Sequence, residues 1–115
     1  MRTLNDYFLT GKITTISTAG SSFVTAPDSG KIIKIYTTIK NAISSADAAL
    51  SFEIGGVAVG GGGITVTQSG SAAGDIDTAE PTAANEVSED GSIEMITDGA
   101  SSNTIKLVVT FVIRR

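Results

Sequence analysis

From Lys31 to Ala42 the chain alternates at every second residue, and that rhythm is the strongest constraint on what it can fold into. Ile33, Ile35, Thr37 and Ile39 fall on one side, with Lys34, Tyr36, Thr38 and Lys40 on the other. A period of two places successive side chains on opposite faces of a strand and does not fit a helix, which repeats every 3.6 residues. The same rhythm returns from Thr104 to Ile113, where Ile105, Leu107, Val109, Phe111 and Ile113 form the inward set. Its other face is mixed: Lys106 and Thr110 are polar, Val108 and Val112 are not. Shorter stretches repeat the pattern, with Leu50, Phe52 and Ile54 inward, then Ile64 and Val66, then Ile93 and Met95. Lys12 to Ser17 and Ser22 to Thr25 are further short candidates. Ile, Val and Thr fill these segments, as a pleated, half-buried surface prefers.

Turn chemistry separates them. Pro27-Asp28-Ser29-Gly30, Gly55-Gly56, Ser69-Gly70, Asp90-Gly91 and Asp98-Gly99 all have the residues that reverse a chain between strands. Seven to eight short strands at this spacing predict one all-β domain over residues 1–115, a two-sheet antiparallel β-sandwich of jelly-roll or Greek-key type. Helix is scarce; Asn5 to Leu9 has room for one turn. Residues 1–11 place Leu4, Tyr7, Phe8 and Leu9 ahead of the first expected strand. They either cap the sandwich or form an arm that docks on another subunit, and capping is the preferred reading. Residues 68–90 are the longest stretch without a clear period, with a short strand expected near Asn85 to Ser88. A loop that long in a compact domain is often functional.

Composition removes most chemistry. There is no cysteine and no histidine, which excludes disulfides, thiolate nucleophiles, Ser-His catalysis and the usual zinc sites. There is no tryptophan, and four Phe and two Tyr give few platforms for stacking sugars or bases. The expectation is a protein that is not an enzyme and takes no cofactor or metal. The start of the chain has Asp6 where a secretory apolar core would begin, so folding in the cytosol is expected. The apolar stretch from Leu107 to Ile113 is far short of the ~20 residues a membrane helix needs, so no membrane partner is expected.

The remaining constellations weigh little. Gly60 to Gly63 lacks the helix and lysine of a phosphate-cradling loop, and fits a hairpin tip or a close backbone approach. Asp75, Asp77 and Glu80 supply calcium-type oxygens but not the EF-hand spacing, so a solvated acidic loop is the default. Paired carboxylates for glycoside hydrolysis have no specific spacing here. Eight bases in a chain of pI near 4.5 leave a weak nucleic-acid footprint. The charges are nevertheless sorted. Residues 1–40 carry five bases and two acids, residues 41–105 carry ten acids and no base, and the last ten residues add three bases. A monomer gains nothing from this, whereas neighbouring subunits gain complementarity; solubility of the loops is the alternative explanation.

Five segments carry a resemblance. They are Pro27 to Tyr36, Ala42 to Leu50, Phe52 to Gly56, Ile64 to Asp75, and the closing Val109-Thr110-Phe111-Val112-Ile113-Arg114-Arg115. Over about residues 23–115 the chain resembles small proteins encoded among the head genes of tailed bacteriophages, the head decoration (cement) proteins. The resemblance implies a β-sandwich made in the host cytoplasm and placed on the outer surface of the virion capsid. There it would clamp adjacent major capsid proteins, with like copies gathered as homotrimers, and no catalytic residue is implied. Under this reading the candidate contacts are Tyr7, Phe8 and Leu9 near the start and Arg114 and Arg115 at the end, with the 60–63 and 70–90 loops behind them. One rival is a carbohydrate- or receptor-binding module of a phage fibre, for which Tyr36 is the best-placed aromatic. Another is a tail or neck component.

Overall fold

Ten strands form in this computed structural model, which describes residues 2–115, and none of those residues is helical. They are β1 (Asp6–Ile13), β2 (Gly20–Thr25), β3 (Gly30–Ile39), β4 (Ala48–Ile54), β5 (Val57–Ala58), β6 (Ile64–Val66), β7 (Ile76–Ala79), β8 (Glu86–Val87), β9 (Ser92–Thr97) and β10 (Leu107–Arg114). The short strand expected near Asn85 to Ser88 is β8; the count exceeds the seven to eight expected because of β5, two residues long and too short to show a period, and β7, which turns Ile76 outward and Asp77 inward.

The strands make two antiparallel sheets. Sheet A runs β1-β10-β3-β7 with β8 also on β3; sheet B runs β2-β9-β4-β5 with β6 also on β4. The orders match place for place: β1 corresponds to β2, β10 to β9, β3 to β4, and β7 to β5. This is a long hairpin rolled over on itself, the jelly roll of the two architectures expected. The slab measures 39 × 29 × 20 Å between Cα extremes.

Between the sheets lies one apolar core. Ile16, Ile32, Ile35, Ile93, Leu107, Val109, Phe111 and Ile113 are fully enclosed, and Phe52 of sheet B meets Phe111 of sheet A edge to face with ring centres 5.5 Å apart. The alternation read in β4, β6, β9 and β10 holds: Leu50, Phe52, Ile64, Val66, Ile93, Met95, Leu107, Val109, Phe111 and Ile113 are all buried. In β3 it holds only in part. Ile35, Thr37 and Ile39 are inward, but the fourth inward residue is Ile32 rather than Ile33. A bulge causes this, since Val112 opposes Lys34 while Ile113 opposes Ile32, so Ile33 is the extra residue and the phase slips beyond it. Asn85 secures that point by donating from Nδ2 to the Ile32 carbonyl at 2.6 Å and accepting the Ile32 N–H at its own carbonyl.

The start of the chain departs from expectation. Residues 6–13 are neither a helical turn with a cap nor a detached arm; they form β1, paired with β10 residue for residue from Asp6–Arg114 to Ile13–Leu107. β10 is apolar on both faces and needs a partner along its whole length, which a loose cap would not supply. The candidate strand at Lys12 to Ser17 therefore ends at Ile13. The glycine run makes its close approach within the chain: Gly60 bridges Ala83, donating to its carbonyl at 2.8 Å.

Candidate interaction surface

Antiparallel pairing of β1 with β10 brings the five candidate contact residues to one corner. Tyr7 stands opposite Ile113, Phe8 opposite Val112, Leu9 opposite Phe111, and Arg114 opposite Asp6. Within that corner their roles divide. Tyr7 and Leu9 turn inward against the core, and the Tyr7 hydroxyl donates to the Asp28 carbonyl. Burial, then the Asp28 carboxylate, push the Tyr7 phenol up from its ordinary value. Arg115 lies 5.0 Å over the Tyr7 ring and pairs with Asp28 at 2.8 Å. Arg114 grips Asp6 with two prongs, from Nε at 2.7 Å and a terminal nitrogen at 3.0 Å. Phe8 alone of the five points its ring outward, 61% exposed.

Arg114 holds the Asp6 carboxyl well below the usual carboxylate range, chiefly through that two-pronged bond and against the opposing cost of desolvation. A carboxyl depressed by folding stabilises the fold above its unfolded pKa and loses that contribution as pH falls through the folded value. Asp6→Asn is therefore expected to lower the melting temperature at neutral pH. Its gap from the wild type should close progressively below about pH 4, where the unfolded wild-type chain starts to take up the proton. Thermal melts from neutral to strongly acid pH read this out, and a gap independent of pH would contradict it.

The outer face of sheet A is a ladder set by register. Its rungs are Asp6–Arg114–Lys31, then Phe8–Val112–Lys34, then Thr10–Thr110–Tyr36–Thr78, then Lys12–Val108–Thr38–Ile76. Val112 is 1% exposed although it lies outside the inter-sheet core, flanked in register by Phe8 and Lys34. Tyr36 is already engaged: Lys34 Nζ sits 5.3 Å from its ring centre and Arg2 donates to its hydroxyl at 3.0 Å. A sugar stacking there would have to displace Lys34. Beside the corner a groove of about 570 Å³ is lined by Lys31, Ile33, Glu86, Arg114 and Arg115. The cations in that groove face acids: Lys31 reaches Glu86 at 4.0 Å, and both arginines are paired as described.

The outer face of sheet B has a different character. Phe23 is 65% exposed, opposite Glu94, which in turn stands opposite Glu53. Ser21, Ile96 and Ser51 make the next rung. In the 70–90 segment, Asp75 accepts the Ala72 N–H at 2.8 Å, and Asp77 opposes Thr37 on the inner side. Burial, then Asp75, push the Asp77 carboxyl up. Among the described residues no three carboxylates gather as a metal site. Sequence reasoning put Lys34 and Val112 on outer strand faces but named neither of them, nor Phe23, as a contact candidate, and Val112 is covered rather than exposed. Each was legible as the outward residue of an alternating strand, and the signal lay in the register between strands.

Together these features define a two-sheet jelly roll with broad outer faces and a braced corner. No protein family and no curated sequence matches the chain. Solved structures do share the fold. A chain in the acidic stable capsid of Helicobacter pylori bacteriophage KHP30 aligns with TM-score 0.59 at 12% identity, over 96% of this chain and 87% of that one. A chain in the capsid asymmetric unit of cyanophage Pam1 aligns with TM-score 0.52 at 13% identity, over 95% and 85%. Dimeric latent PorU from Porphyromonas gingivalis holds a similar unit, at TM-score 0.50 and 12% identity, within 13% of its length.

Proposed function

We propose that this chain is a structural virion protein that decorates a phage head from outside and bridges adjacent major capsid proteins. The observation that carries the reading is the shared fold with chains of two phage capsids, each aligned over more than four-fifths of both lengths. The pattern of side chains supports it. Tyr7, Leu9, Arg114 and Arg115 brace one corner from within, and Phe8 stands out from it beside a buried Val112. A rigid edge that presents one exposed aromatic suits docking better than chemistry. Repetition on a shell lets modest contacts act together, so each copy needs little affinity of its own. Gathering as trimers fits the same role, and no catalytic group is required.

Mixing the purified protein with expanded empty heads tests this. The wild type is expected to co-sediment and to raise the temperature at which heads disrupt. Phe8→Asp should retain its own melting temperature within a few degrees and bind roughly tenfold or more weakly, as the loss of an interface anchor implies. Absence of co-sedimentation by the wild type would overturn the proposal.

A further inference from the structure

The bases, sorted along the sequence, are also sorted in space, whereas the acids divide: Asp77 and Glu86 lie on β7 and β8 of sheet A, Glu53 and Glu94 on β4 and β9 of sheet B. Seven of the eight bases lie on or directly beside β1, β3 and β10, namely Lys12, then Lys31, Lys34 and Lys40, then Lys106, Arg114 and Arg115, and Arg2 reaches β3 by its bond to the Tyr36 hydroxyl. Those three strands are neighbours in sheet A. The five strands of sheet B contain no base, and Glu53 and Glu94 stand side by side on its outer face. Like charges directly opposite on adjacent strands work against folding, so this pair is a cost that the isolated chain does not recover.

The ion pairs within the chain do not cancel the division. Asp6 and Asp28, the two acids of the basic segment, absorb Arg114 and Arg115, and Lys31 takes Glu86. Among the described residues, Lys12 and Lys34 on one face and Glu53 and Glu94 on the other enter no salt bridge. Each face also has a protruding aromatic ring, Phe8 on sheet A and Phe23 on sheet B. The broad sides of a 39 × 29 × 20 Å slab offer the ~800 Å² per partner of an ordinary stable interface.

We infer that copies of this chain associate head to tail, with the basic outer face of sheet A of one copy against the acidic outer face of sheet B of the next. One molecule has both halves of the match. A pairing of sheet A with sheet A, or of B with B, would set like charges together and is disfavoured. A contact between two different faces generates a ring if the rotation closes and a filament if it does not. This inference does not rest on the capsid reading, because self-association is measured without heads.

Charge reversal tests it by sedimentation. The wild type should self-associate at low salt and dissociate as salt is raised, because exposed complementary charges are screened. The double variant Lys12→Glu/Lys34→Glu and the double variant Glu53→Lys/Glu94→Lys should each associate roughly tenfold or more weakly than wild type. Mixed in equal amounts they should associate again, since the unaltered basic face of the second meets the unaltered acidic face of the first. Phe23→Asp supplies an independent disruption should either double variant melt early. A wild type that stays monomeric at low salt, association that strengthens with salt, or a mixture no more associated than its parts would each overturn the inference. A monomer that still bound heads would remove the inference and leave the proposed function standing.

Discussion

Phe111→Ala should cost about 3–5 kcal/mol, the largest loss expected of any single truncation in this fold. Phe111 is wholly enclosed on β10, which is held between β1 and β3, with Leu9 and Ile35 as register neighbours in its own sheet. Its ring meets Phe52 at 86° across the space between the sheets, so its removal opens a void and also breaks the principal aromatic contact joining them. Strands on both sides restrain β10, so the backbone has little freedom to collapse into the hole. For a domain of this size the loss corresponds to a melting temperature roughly 15 °C lower. Thermal denaturation of Phe111→Ala and Phe8→Ala compares the same residue type on two adjacent strands. The exposed one is expected to change stability by less than about 1 kcal/mol. Equal effects from the two would mean that the sheets are not held together through this ring.

Gly99→Ala is the second large effect, of about 3 kcal/mol or more, and it has two sources. Gly99 sits in the turn between β9 and β10 with φ of 70°, a left-handed conformation that a Cβ disfavours. A Cβ built there would also lie 2.2 Å from the Ala19 nitrogen and 2.7 Å from the Thr18 carbonyl carbon, which are backbone atoms without a rotamer to escape by. Gly55 separates the sources. Its φ of 60° is equally left-handed, but nothing lies within 4 Å of its missing Cβ. Gly55→Ala should cost only about 1 kcal/mol. The difference between the two variants in chemical denaturation measures the close approach of the β1–β2 connection to residue 99. Similar losses from both would place the whole effect in backbone strain.

What the sequence revealed, and what it hid, follows from where each strand sits. β4, β6, β9 and β10 bury one face against the opposite sheet, so Leu50/Phe52, Ile64/Val66, Ile93/Met95 and Leu107/Val109/Phe111/Ile113 alternate openly. β1 does the same with Tyr7, Leu9, Gly11 and Ile13 inward, but glycine at Gly11 and an aromatic outward at Phe8 blur the rhythm. β7 reverses it, with Ile76 63% exposed and Asp77 turned toward Thr37. The bulge at Ile33 is set by the relation between two strands, and neither strand announces it alone. The site was half legible for the same reason. The residues of the β1–β10 corner were identifiable as candidates, and the charge sorting was visible as a run of letters. Which side chains turn inward and which acids neutralise Arg114 and Arg115 depended on pairing across about a hundred residues of chain.

That pairing also orders the birth of the molecule. β10, which lies in sheet A between the first and third strands to leave the ribosome, is itself the last of the ten to be synthesised. Until it arrives, β1 lacks its partner in the sheet and the core lacks Leu107, Val109, Phe111 and Ile113. Completion of sheet A around β1 and β3 therefore waits on β10, which enters after every other strand of the domain.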